Sequence, residues 1–140
     1  MNESEPETGD VQTDGHQAFY SHAQLYEIAF SYRDFQQECD FLTDCFVAAS
    51  ARKPESVLEL AAGPANHARE FASRGLVASA LDLSEEMAKY ATAQAEQEGA
   101  ELHYVVGDMA SFQTENTVDL VTCLICSLGC LLTNERIETH

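Results

Sequence analysis

Apolar and polar positions recur along this chain with two different beats, and the change from one to the other marks its elements. Four short runs, Ser56–Leu60, Val77–Leu81, Leu102–Val106 and Val118–Leu124, are nearly continuous in apolar character. Strands buried on both faces of a parallel sheet look like this, because neither face needs polar residues. The segments between them repeat at helical spacing. Asn66–Arg74 reads as a helix closed by Gly75, at the position just past a helix end that favours a left-handed residue. Ser84 offers an N-cap, with Glu85 and Glu86 in the first turn where the helix dipole favours acids; this helix runs to about Glu98 and stops at Gly99. Upstream, Asp34 caps a longer helix that reaches about Arg52 and is ended by Pro54, with Phe41, Leu42, Cys45, Phe46 and Ala49 as its apolar stripe. Before it, in the aromatic-rich stretch His16–Phe35, Tyr26, Phe30 and Arg33 share one helical face.

Two helices followed by β-α-β-α-β-x-β predict an α/β domain. Right-handed crossovers between parallel strands place helices on both faces, and the four strands are expected in the order 3-2-1-4, a Rossmann-like three-layer sandwich with its switch point between strands 1 and 4. The domain is expected over residues 16–140. Residues 1–15 carry Glu3, Glu5, Glu7, Asp10 and Asp14 without a Lys or Arg, a composition that stays solvated and disordered.

Composition narrows the function. The 140 residues suffice for one core, and 45% apolar residues are ordinary for a globular chain. A formal net charge of −17 repels phosphate backbones and anionic membranes, so a small molecule is favoured over nucleic acid as substrate. No apolar run reaches the roughly 18–20 residues of a membrane span, and no leader is evident, so a cytoplasmic location is expected. The 5 cysteines are odd in number and are read as reduced thiols. Cys123 and Cys126 lack the second pair that a zinc tetrahedron requires, so no metal is expected.

The stretch that carries chemistry is Val57-Leu58-Glu59-Leu60-Ala61-Ala62-Gly63-Pro64-Ala65-Asn66-His67. A strand ends near an acid and passes through a turn of small residues into a helix. A nucleotide-like ligand can lie across such a turn at the carboxyl end of a parallel sheet. Asp82 closes the next strand about 20 residues past the glycine turn, where a carboxylate can accept from ribose hydroxyls, a reading favoured over its merely capping the following helix.

These residues, together with Ala80-Leu81-Asp82, Gly107-Asp108-Met109 and Val118–Leu124, resemble the successive motifs of the class I S-adenosylmethionine-dependent methyltransferases, from roughly Tyr26 to the C-terminus. The family's usual first motif, acidic-x-Gly-x-Gly-x-Gly, stands here as Glu59-Leu60-Ala61-Ala62-Gly63-Pro64-Ala65, with only the central glycine kept. The resemblance implies S-adenosyl-L-methionine as cofactor and methyl transfer to a small-molecule acceptor. It also implies that Asp82 holds the ribose, and that Asp108 and the Met109 N–H read the adenine. Leu83 and Met109 would wall that base, with Met87 in the same pocket. Glu59 and the Ala61–Gly63 backbone would face the methionine end, completed by Leu124 and Ser127. Tyr26, Tyr32 and Arg33 would come from a lid, Arg33 toward the methionine carboxylate, though aromatics at this spacing suit a packed helix as well. These three, with Asn66 and His67, are weaker candidates, and no general base stands out.

Family members carry seven strands and this sequence supplies about four. It reads as the cofactor-binding half, with its last strand open to a missing C-terminal half or to a second copy in a homodimer. Two rival readings remain. A nicotinamide dehydrogenase would need Gly-x-Gly-x-x-Gly for its pyrophosphate; here Pro64 removes a donor and two glycines are absent. A fragment that binds cofactor or a partner without catalysis is the other.

Overall fold

The computed structural model describes residues 22–125, 127–131 and 133–139. The acidic stretch 1–15, Phe19, Tyr20 and Cys126 lie outside the described residues. The elements are α1 (Ala23–Ala29), α2 (Phe35–Ser50), β1 (Ser56–Leu60), α3 (Asn66–Ser73), β2 (Val77–Asp82), α4 (Glu85–Gln97), β3 (Leu102–Val106) and β4 (Leu120–Cys123). A 3-10 turn (Ser127–Leu131) and α5 (Asn134–Thr139) follow. The sheet is ordered β3-β2-β1-β4, and every pairing is parallel. Leu60 stands opposite Leu81 on one side and Cys123 on the other, and Asp82 stands opposite Val106. All four carboxyl ends therefore lie along one edge of the sheet, where a β-α turn can present its backbone to a ligand.

Side chains alternate across this sheet as the pleat demands. Val57, Ala78, Ala80, Leu102, Tyr104 and Leu120 turn to one face and pack with Cys39 of α2, Ala68 and Phe71 of α3, and Ala91 of α4. Small residues on β2 let these helices approach closely. Leu58, Leu60, Leu81, Val105 and Cys123 turn to the other face. The cover there differs from the expected helix layer: the connection from β3 to β4 carries no helix, and its Met109, Phe112 and Val118 pack on the sheet as coil. The cause is directional. The steps β1 to β2 and β2 to β3 run the same way, so right-handedness sends both helices to one face. Only the return to β4 uses the other face, and its polar run Gln113-Thr114-Glu115-Asn116-Thr117 has no helical periodicity.

The caps form where the sequence places them. Asp34 accepts from the Gln37 N–H at 2.9 Å, and Ser84 from the Met87 N–H at 3.2 Å. The α2 stripe is a correction. Cys39 is fully buried and Leu42 and Phe46 are half-buried, whereas Phe41, Cys45 and Ala49 are exposed. The inward face runs through 39, 42 and 46, which is also helical spacing, and the sequence alone could not choose between two adjacent stripes. At the foot of the sheet, Asp119 fastens the start of β4 to the start of β1. Its carboxylate accepts from Arg52 and from the Glu55 N–H at 2.7 Å, and its own N–H donates to Ser56 Oγ at 2.9 Å. These partners hold the Asp119 carboxyl far below the usual range.

Candidate functional site

The turn between β1 and α3 has an unusual backbone. Ala61, Gly63 and Ala65 have φ values of 51°, 54° and 54°, so every second residue is left-handed. Those are the three positions where the motif of the resembled family carries glycine. Gly63 meets the conformation without penalty; the two alanines hold it against Cβ–carbonyl crowding of about 1–2 kcal/mol each. Ala61→Gly should therefore raise stability by about 0.5–1 kcal/mol, the strain relieved less the added freedom of the unfolded chain. A urea midpoint that falls would show that the Ala61 methyl packs better than it strains.

Ala65 occupies the N-cap of α3 and has no side chain with which to cap it. Glu59 supplies the cap from the strand. Its Oε2 accepts from the Ala68 N–H at 2.8 Å, and its Oε1 meets His67 Nδ1 at 3.1 Å. The Glu59 residue is 5% exposed, so the carboxylate lies beneath the turn and against the positive end of the helix. A ligand on the turn would feel its charge through the Ala61–Gly63 backbone and would not bond it directly. Tyr104 of β3 reaches the same turn, its hydroxyl donating to the Gly63 carbonyl at 2.6 Å. Burial and the nearby Asp82 and Glu59 charges push the Tyr104 pKa well up, so it stays a donor.

Asp82 and Gly63 are in direct contact, the Gly63 N–H donating to Asp82 Oδ2 at 2.9 Å. Asp82 Oδ1 accepts from the Ser84 N–H at 3.0 Å, a local contact beside the helix; the cap of α4 is Ser84 itself, whose hydroxyl takes the Met87 N–H. A carboxylate has about four lone-pair sites and can still accept from other donors. The Asp82 carbonyl takes the Gly107 N–H at 2.9 Å, which sets Asp108 at the adjoining strand end. Asp108 Oδ1 accepts from the Ala110 N–H at 2.9 Å. Beside them Leu83 is 71% exposed and Val106 46%, apolar side chains left in solvent at the ends of β2 and β3.

The other expected residues are dispersed. Met87 is fully buried on the inner side of α4, and Met109 packs under the sheet's second face. Leu124 follows β4; its carbonyl accepts from Ser127 Oγ at 2.8 Å, and its side chain lines a groove of about 460 Å³ with Glu38, Phe41 and Leu42. Tyr26 stands over the turn, Cε1 lying 3.9 Å from where a Cβ on Gly63 would be. Tyr32 is largely exposed and lines a separate groove of about 580 Å³ with Asn66, Arg69 and Glu98, on the outer side of α3. Arg33 donates its Nε and Nη2 to Glu38 and lies over the Phe35 ring, while its buried Nη1 is left without a hydrogen-bond partner among the described residues. Neither groove gathers Gly63, Asp82 and Asp108.

Sequence reading misses Tyr104 and the engagement of His67 and Glu38. The alternation of β3 puts Tyr104 on the helix face, but its reach to Gly63 depends on β3 lying two strands away.

The family model of the methyltransferase domain matches residues 57–139, more than half of the chain. This chain belongs to that methyltransferase-domain family. Among solved structures, DesVI of Streptomyces venezuelae is 26% identical with a TM-score of 0.72, over 84% of this chain and 49% of that one. CalS10, an amino pentose methyltransferase of Micromonospora echinaspora with S-adenosylmethionine bound, is 25% identical with a TM-score of 0.71, over 82% and 48%. An S-adenosylmethionine-dependent methyltransferase of Clostridium acetobutylicum shares the fold, with a TM-score of 0.73 at 20% identity, over 87% of this chain and 50% of that one. No curated protein matches the chain. The methyltransferase domain described here spans about half the length of these solved structures. No helix among its described residues is long and apolar enough to cross a membrane.

Proposed function

We propose that this chain supplies the cofactor-binding half of an S-adenosylmethionine-dependent methyltransferase that acts on a small molecule. The observation that carries the reading is the Gly63–Asp82 bond, which places a left-handed turn of small residues and a carboxylate together at the carboxyl ends of neighbouring strands. Asp82 would take the ribose hydroxyls on its remaining lone pairs. Leu83 and Val106, exposed beside it, would cover an adenine, and Asp108 would accept from the exocyclic amine. The Ala61–Gly63 backbone would receive the methionine end, above the Glu59 charge. Tyr26 would shelter that end from water. Met87 and Met109 would support this site only as packing behind it, and Tyr32, Arg33 and Leu124, engaged elsewhere, are given no contact to the cofactor.

The cofactor brings a sulfonium methyl that leaves its sulfur as a nucleophile attacks in line. The protein's part is alignment and exclusion of water, effects worth up to about 7–11 kcal/mol in favourable cases. CalS10 is an amino pentose methyltransferase, which supports a small amine-bearing acceptor for this domain too. Isothermal titration of S-adenosylhomocysteine into the protein tests the reading. Micromolar or tighter binding is expected, and no heat at millimolar ligand would overturn it.

A further inference from the structure

By spacing alone, His67 is a weak site candidate, as well read as an exposed first-turn helix residue. In the fold it is 2% exposed, and each ring nitrogen meets a carboxylate: Nδ1 lies 3.1 Å from Glu59 Oε1 and Nε2 lies 2.7 Å from Glu38 Oε2. An ionised carboxylate can only accept. Both ring nitrogens are satisfied together only when both carry a proton; a neutral ring turns a bare lone pair toward one of the two acids. Arg33 stands behind Glu38, its Nε at 2.9 Å. The chain Arg33–Glu38–His67–Glu59 thus alternates in sign and sums to zero when His67 is an imidazolium. Phe35 meets the ring edge-on with centroids 5.1 Å apart, and the Cys39 thiol points at the His67 carbonyl. Burial opposes charge on His67, but Glu59 and Glu38 outweigh it and hold its pKa above the ordinary value. Burial likewise opposes charge on Glu38, and His67 and Arg33 outweigh it there.

The geometry points to His67 as a positioning residue that, as an imidazolium, fixes the Ala61–Ala65 turn from two sides. On one side it holds Glu59, which caps α3 at Ala68 directly after the turn. On the other it holds Glu38 and, through it, Arg33, the residue linking α2 to the α1 segment that carries Tyr26 over Gly63. Loss of the proton leaves one of the two carboxylates facing a bare ring lone pair, so the turn loses one of its two supports. This role rests on the proposal that the turn is the cofactor site.

Two measurements keep the inference and that proposal apart. In the free protein, the ¹³C-histidine signal of His67 is followed from about pH 5 to about 9, alongside the thermal midpoint. The ring should titrate above the ordinary histidine value. Its contribution to stability should be full below the unfolded pKa and fall away as pH rises through the folded one. In the second measurement, the S-adenosylhomocysteine Kd should rise about tenfold or more across that same midpoint. Glu38→Gln lets a neutral ring pair with an amide, so its Kd profile should flatten; it also controls for titration of the ligand. Titration of His67 at or below the ordinary value, or a Glu38→Gln profile identical to the native one, would overturn the inference. Binding without a pH step removes the His67 role alone, whereas no binding at any pH removes the cofactor reading and the His67 role with it.

Discussion

Glu59→Ala is expected to lower stability by about 3–5 kcal/mol, the scale seen when one partner of a buried ion pair is removed. Both oxygens of this carboxylate are engaged, one on His67 Nδ1 and one on the Ala68 N–H, and the residue is buried between the strand and the helix it caps. Truncation leaves a buried histidine without one of its two acids, and a helix N-terminus whose own N-cap, Ala65, has no acceptor. It also empties a site almost wholly shielded from solvent. Glu59→Gln should be milder, about 1–3 kcal/mol, because the amide oxygen can still take the Ala68 N–H while the charge is lost. Urea unfolding of both variants, with the slope unchanged, checks the ranking. A loss in Glu59→Ala below about 1 kcal/mol would mean that α3 does not depend on the strand for its cap.

Asp82→Ala is expected to weaken S-adenosylhomocysteine binding by about 1.5–3 kcal/mol, roughly 10- to 150-fold in Kd, on the proposed reading of the site. The loss has two sources. Ribose contacts disappear, and so does the bond that holds the Gly63 N–H, which lets a strained turn relax. Asp82→Asn separates them. Its amide oxygen can keep the Gly63 bond, but it offers ribose hydroxyls a weaker, uncharged acceptor. Asn should therefore restore most of the thermal midpoint and only part of the affinity. Calorimetric titration beside thermal unfolding reads both. An Ala variant that binds as tightly as the native chain would take Asp82 out of the site.

Much of this architecture is legible in the residues. The bounds of β1 and β3 coincide with their apolar runs, and Gly75, Ser84 and Gly99 punctuate the chain where helices begin and end. The strand order is the one expected of a Rossmann-like domain, and handedness then fixes the face each connection takes. That Gly63 and Asp82 meet follows too, because parallel neighbours share a carboxyl edge. What the sequence hides is mostly a matter of which way a side chain turns. Glu59 reads as a ligand-facing acid, yet the pleat sends it with Val57 to the helix face, where Ala65 leaves a cap to be filled. Arg33 reads as a free cation beside a site; Glu38, five residues on, claims it. Met87 sits one turn past Asp82 and reads as pocket-lining, but the face α4 must bury runs through Met87, Ala91 and Ala95. The left-handed alanines carry no local signal at all, since alanine normally avoids that region.

The way Asp119 ties β4 to β1 has a temporal consequence. The Gly63–Asp82 bond closes a loop of 19 residues, whereas the Asp119–Ser56 bond closes one of 63. Loop entropy grows so slowly that the longer closure is disfavoured by only about 1 kcal/mol more. In equilibrium terms the two clasps are near equals. For a chain emerging from a ribosome they are not: the glycine turn and its acid are both synthesised before β4, so that clasp is free to close while the sheet still lacks its last strand.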